Sequence, residues 1–230
     1  QQITPLLVVD NFSLLFTAII LIASGFIAVF SYPYLYRLHD QVEEFYLLLL
    51  LATLGGLLMV SSNHFISAFL GLETLSVSLY AMIAYPVHSR EAAKFPLEAA
   101  VKYLVLSAVS SALILFSIAL LYAQTGSLAF TDLAVNGNGA ALAGDGYYVT
   151  TLVLLMAGVA FKLSLAPFHL WTPDVYEGAP LPATTFLATI GKAAMMVLFL
   201  RFAVASSALS FPAVVAVLGV IAVLSILIGN

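Results

Sequence analysis

Long apolar runs separated by short polar clusters set the pattern of this chain. Seven stretches reach or approach the roughly 20 residues that a membrane-crossing helix needs. They run from about Asn11–Tyr32, Phe45–Val60, Phe65–Tyr85, Leu97–Tyr122, Tyr148–Ala166, Ala179–Val204 and Phe211–Ile228. Each is apolar without the alternation of a barrel strand, so each predicts a helix. The second is short and borrows flanking residues such as Glu43 and Ser61. The expectation is an all-α integral membrane protein, one polytopic helix bundle over residues 1–230, with one helix discontinuous near Pro167.

Composition agrees with that reading. Hydrophobic residues make up 63% of the chain and charged residues 8%, and the mean hydropathy is +1.13. A soluble domain carries about 25% charge and could not cover its surface with a third of that. The net charge of −4 is spread without any basic run, so nucleic acid is not an expected partner and lipid is. There is no cysteine, which removes disulfides, thiolate metal sites and iron–sulfur clusters, and the four histidines show no metal-ligand spacing. Arg37, Arg90 and Lys94 lie in odd-numbered loops, which under the positive-inside rule puts residue 1 outside; Arg201, near the outer end of the sixth helix, runs against this. The connection from Gln124 to Gly146, with its Asn136-Gly-Asn-Gly run, reads as an external surface loop. The tyrosines at 32, 34, 36, 147 and 148 suit interfacial belts. A start at Gln1 and a stop after Gly229-Asn230 suggest a piece of a longer polytopic chain.

Charge inside a membrane is costly and marks function by default. Glu73 lies near the middle of the third run, with Ser76 and Tyr80 on its face at helical spacing. Lys102 lies in the first turns of the fourth, followed by a serine patch at 107, 110 and 111. It can snorkel to the interface, or pair with Glu73 on the adjacent helix. Lys162 sits about 20 Å into the fifth run, counting 1.5 Å per residue from Tyr148, and five residues before Pro167. That proline frees the carbonyl of Leu163, and Thr172-Pro-Asp offers a capped restart. This is the pattern of a discontinuous helix, a device of transporter ion sites. Lys192 is midway along the sixth run, on one face with Thr185, Ala188 and Thr189. His169 is a further proton-relay candidate, whereas His64 reads as a loop histidine. Gly55, Gly56 and Gly71 read as helix-packing positions. A buried amine has two protonation states of similar free energy, and a movable carboxylate shifts the balance between them. Glu73, Lys102, Lys162 and Lys192, on four successive segments, therefore make a candidate proton relay bridged by water.

These residues also carry a resemblance. Gly71-Leu-Glu-Thr-Leu-Ser, Glu98-Ala-Ala-Val-Lys-Tyr-Leu-Val-Leu-Ser, the run from Phe161-Lys to Asp174-Val-Tyr-Glu-Gly-Ala-Pro, and Lys192 resemble the antiporter-like subunits of respiratory complex I. The last two features favour the subunit N branch of bacterial NADH:quinone oxidoreductase. The central Lys-x5-Phe-His-x-Trp-x-Pro-Asp core is shared with multisubunit sodium/proton antiporters, whose subunits are the alternative reading. The resemblance implies a fold of about fourteen helices with two inverted repeats, of which this chain would hold the first. It implies that Glu73, Lys102, Lys162 and Lys192 belong to a proton half-channel. It also implies a chain that binds no redox cofactor, with NADH, FMN, iron–sulfur clusters and quinone held by other subunits. Neighbouring antiporter-like subunits would be its partners and a bacterial inner membrane its location.

Overall fold

A computed structural model describes residues 2–37, 42–85, 94–132, 146–206 and 212–229. Arg90 and the Asn136-Gly-Asn-Gly run lie outside these residues. The described residues open with a small antiparallel hairpin, β1 (Gln2–Thr4) and β2 (Leu7–Val8), and the remaining regular elements among them are helices. The helices are α1 (Asn11–Arg37), α2 (Val42–Ser61), α3 (Phe65–Ala84), α4 (Lys94–Thr125), α5 (Gly146–Lys162), α6 (Trp171–Gly178), α7 (Leu181–Phe186), α8 (Lys192–Ala205) and α9 (Pro212–Gly229). A π-helical turn, Leu187–Gly191, joins α7 to α8 without a break in the rod. Among the described residues, five helices are long and apolar enough to cross a membrane, counting Leu181–Ala205 as one, and two shorter apolar helices correspond to the fifth and seventh predicted spans.

Small residues decide how closely the helices approach. A Cβ on Gly71 would lie 2.9 Å from the carbonyl of Gly55 and from the backbone nitrogen of Met59, so α2 and α3 meet backbone to backbone. Between α4 and α5, the Ser110 hydroxyl donates to the carbonyl of Gly158 at 2.9 Å. The outward faces remain apolar, with Phe26, Phe30, Leu50, Val109 and Ile226 exposed, as helices in lipid require.

The fifth helix ends earlier than the proline predicts. Its regular bonding stops at Lys162, and the chain turns at Ser164, whose φ of 58° is left-handed. The amide of Leu165 bonds back to the carbonyl of Ala160 at 2.8 Å. Pro167, in a cis peptide, lies in the turn after the helix has finished and does not end it. The restart also differs. α6 begins at Trp171 with Leu170 at the N-cap and no side-chain cap, while Thr172 Oγ1 is buried without a hydrogen-bond partner.

The start of the long α4–α5 connection is less superficial than the sequence suggests. Phe130 is fully buried against Phe65 and Phe202. Its amide bonds to Asn63 O at 3.1 Å, and the amide of Asn63 bonds to Leu6 O at 3.0 Å. His64 caps α3, its Nδ1 accepting the amide of Ile66 at 3.2 Å, so this histidine is structural.

Candidate functional site

The polar face of α3 meets the polar face of α4 where α5 ends. Helical spacing puts Tyr103, Ser107, Ser110, Ile114, Ser117 and Leu121 on one side of α4, and all are buried. Ser107 faces α3, where Tyr80 donates a hydrogen bond to its oxygen at 2.9 Å. Lys162, the last residue of α5, reaches into the same gap. Its Nζ donates to Ser107 Oγ at 2.6 Å and to Ser76 Oγ at 2.9 Å. Tyr80, Ser107, Lys162 and Ser76 thus form one hydrogen-bonded string across three helices.

Both oxygens facing the Lys162 amine belong to neutral hydroxyls. The counter-charge is Glu73, one turn along α3, which interacts electrostatically with Lys162, Tyr80 and Tyr103. Its Oε1 is buried and has no hydrogen-bond partner among the described residues. A carboxylate oxygen in that condition is uncommon and calls for water or a moving partner. Beside Lys162 is a cavity of about 20 Å³ bounded by Ser76, Tyr103, Leu187 and Gly191 among others. That volume suits a single water molecule, and its wall is partly polar.

Lys102 stands apart from this string. The Glu73–Lys102 pair that helix adjacency suggests is not formed: Lys102 Nζ lies 2.8 Å from Glu98 Oε1 and 2.8 Å from Asp174 Oδ2. The reason is rotational. Tyr103 takes the inward position on α4, and its neighbour is turned about 100° away, toward α6. The side chains of Lys102, Glu98 and Asp174 are all more than two-fifths exposed. With Glu177 and Phe95 they line an open cleft of about 360 Å³.

Lys192 follows the π-helical turn. A turn of this kind is rare and recurs at functional sites. Here its residues Leu187 and Gly191 border the Lys162 cavity, while the Lys192 ammonium lies 5.4 Å from the centre of the Tyr176 ring. Thr189 is not gathered into the cluster: it is exposed and its hydroxyl bonds to the carbonyl of Thr185 at 2.6 Å. His169 lies in the turn between α5 and α6, with Nδ1 buried and without a hydrogen-bond partner. Trp171 supports the site, stacking on Phe161 at 5.5 Å, packing against Tyr103 and donating its indole N–H to Phe161 O at 3.2 Å.

The sequence named Glu73, Ser76, Tyr80 and Lys162, and the structure brings the last three together with Glu73 in electrostatic range. It did not single out Ser107 as the shared acceptor, nor Tyr103, Asp174 and Tyr176 as neighbours of the lysines. The i, i+4 relation of Tyr103 and Ser107 on the buried face of α4 was the available signal. Among the described residues no group of three or more His, Cys, Asp or Glu side chains is placed to hold a metal ion.

Residues 62–230 match the family described as NADH:quinone oxidoreductase/Mrp antiporter, TM. A chain of respiratory complex I from Thermus thermophilus is similar at 40% identity, with a TM-score of 0.67 over 84% of this chain and 40% of that one. A chain of an archaeal membrane-bound sulfane sulfur reductase is similar at 29% identity and a TM-score of 0.70, over 82% of this chain and 38% of the other. A chain of the Mrp complex from Dietzia sp. DQ12-45-1b shares the fold at 18% identity and a TM-score of 0.63, over 84% and 35%. The chain therefore spans about two-fifths of the length of those structures or less.

Proposed function

From the premise that this chain belongs to the NADH:quinone oxidoreductase/Mrp antiporter transmembrane family, we propose that it is part of a proton-translocating membrane subunit of an NADH:quinone oxidoreductase of the complex I type. The 40% identity to the Thermus chain supports this reading over the antiporter alternative, and the Asp174-Val-Tyr-Glu-Gly-Ala-Pro run with Lys192 favours the subunit N branch. The observation that carries the reading is Lys162, an ammonium held inside the bundle by two neutral hydroxyls with an unpartnered carboxylate oxygen nearby.

Such an arrangement can load and release a proton. Movement of the Glu73 carboxylate toward or away from Lys162 is the step that would load or unload the lysine proton. The proton leaves through the water-sized cavity that reaches Gly191, next to Lys192. Ser76 and Tyr80 orient the donor and its acceptors, and the turn carrying Pro167 and His169 lets Lys162 end its helix facing the gap. Lys102 serves at the open cleft, where Glu98 and Asp174 keep it charged. Redox chemistry with NADH, FMN, iron–sulfur clusters and quinone belongs to other subunits, and adjoining antiporter-like subunits and lipid are the partners. The setting is a bacterial inner membrane.

The test is proton pumping per NADH oxidised by the assembled complex in proteoliposomes. Lys162→Met and Glu73→Ala are expected to lower the ratio while the complex stays assembled. An unchanged ratio in both variants sinks the reading. Pumping that requires sodium and survives without the redox subunits supports the antiporter alternative.

A further inference from the structure

The turn that follows Lys162 is poorly tied. Ser164 Oγ, His169 Nδ1 and Thr172 Oγ1 are all buried without hydrogen-bond partners among the described residues. The amides of Leu163, Ser164 and Leu165 bond back to Val159, Phe161 and Ala160 within the same segment. The next amide does not. Ala166 N–H, on a residue 2% exposed, donates to the hydroxyl of Ser225 on α9 at 3.1 Å.

Ser225 is an unusual residue for its position. α9 reads Pro-Ala-Val-Val-Ala-Val-Leu-Gly-Val-Ile-Ala-Val-Leu-Ser-Ile-Leu-Ile-Gly, and this serine is its one hydroxyl. A serine in an apolar helix normally returns its proton to the carbonyl of the preceding turn; this one accepts from a backbone amide in another element. The amide it accepts is buried, so loss of the hydroxyl leaves a donor that water cannot easily reach.

We infer that Ser225 is a positioning residue for Lys162: it anchors the Leu163–Ala166 turn from α9, fixing the backbone from which the lysine projects toward Ser76 and Ser107. The reasoning is geometric. Lys162 is the last helical residue before that turn, so release of the turn lets the end of α5 rewind or fray and moves its last side chain first. The role for proton transfer rests on the proton-relay reading above, whereas the anchoring of the turn does not.

The comparison is Ser225→Val against Ser225→Thr in the assembled complex, since the two side chains have the same shape and differ in the hydroxyl. Hydrogen exchange of the peptide containing Ala166 tests the anchor whatever ion the site moves. Proton pumping as a function of pH tests its consequence at Lys162. In Ser225→Val, exchange at Ala166 is expected to rise about tenfold, the scale of one lost hydrogen bond, and the pH profile of pumping is expected to move. Ser225→Thr is expected to keep both near the parent values. Equal behaviour of the two variants in exchange overturns the anchor. Faster exchange in Ser225→Val with an unmoved pH profile overturns the positioning role, and an insensitive Lys162→Met separately overturns the proton reading.

Discussion

At the scale of single residues, Ser107 matters more than its size suggests, because its one oxygen accepts from both Lys162 and Tyr80. Ser107→Ala leaves the Tyr80 hydroxyl without that acceptor and Lys162 with Ser76 alone. An unmet buried donor costs about 1–3 kcal/mol, which corresponds to roughly tenfold or more in a transfer rate. Under the proposed proton-relay function, pumping by Ser107→Ala is expected to fall by that order and to recover in Ser107→Thr; a Ser107→Ala complex that pumps like the parent removes Ser107 from the proposed relay. Part of this was readable in the sequence, because Glu73 and Lys162 are charges in apolar runs and lipid offers them nothing. Ser107 was not, since a mid-helix hydroxyl ordinarily bonds the carbonyl three or four residues back, as Ser78 and Ser117 do here. The partner of Lys102 was hidden for a different reason. Choosing Asp174 over Glu73 depends on the rotation of α4 and on a short helix 72 residues later.

At the scale of elements, the α2–α3 contact gives the clearest test of packing. A methyl on Gly71 meets backbone atoms at 2.9 Å, which cannot rotate away. Overpacking of this kind costs about 1–3 kcal/mol, so Gly71→Ala is expected to lower the thermal unfolding midpoint in detergent. Gly25→Ala, where a Cβ meets nothing within 4 Å, is the control and is expected to match the parent. Equal midpoints for the two variants would show that α2 and α3 can part freely. The helices themselves were legible because length and hydropathy are properties of the chain alone. Their interruptions were legible only as places of interest. Pro167 announced a break, yet the turn is made by Ser164 in a left-handed conformation that nothing in its type announces. The π-helical turn at Leu187–Gly191 has an ordinary helical composition, and nothing in its residue types announces it.

At the scale of the whole molecule, the end of the bundle that carries the N-terminal hairpin is closed. The hairpin, the Ser62–His64 connection and residues 127–131 cross over it and bond to one another. Beneath them Phe65, Phe130 and Phe202 cap an apolar cavity of about 40 Å³ that also touches Leu72 and Met195. Both of those residues border the Lys162 cavity as well, so the route from Lys162 toward this end runs into an apolar chamber, which disfavours water. Arg201 completes the closure. Its guanidinium holds Asp10 through two bonds of 3.1 and 2.8 Å and lies 5.6 Å from the Phe12 ring centre. The Arg201 guanidinium, with help from Ser13, lowers the Asp10 pKa to about 2 from an ordinary 3.8. A carboxylate depressed in this way stabilises the fold fully above its unfolded pKa, and the contribution fades as pH falls from 3.8 toward about 2. Throughout the working range the clamp is therefore charged on both sides. Asp10→Asn leaves the Arg201 side chain, 9% exposed, without its counter-ion, a loss of about 1 kcal/mol once solvent screening at the 42% exposed Asp10 is allowed for. The expected result is a lower unfolding midpoint for Asp10→Asn, by the same amount at pH 5 and at pH 8. A deficit that shrinks across that interval would mean that Asp10 titrates there and is not held by Arg201.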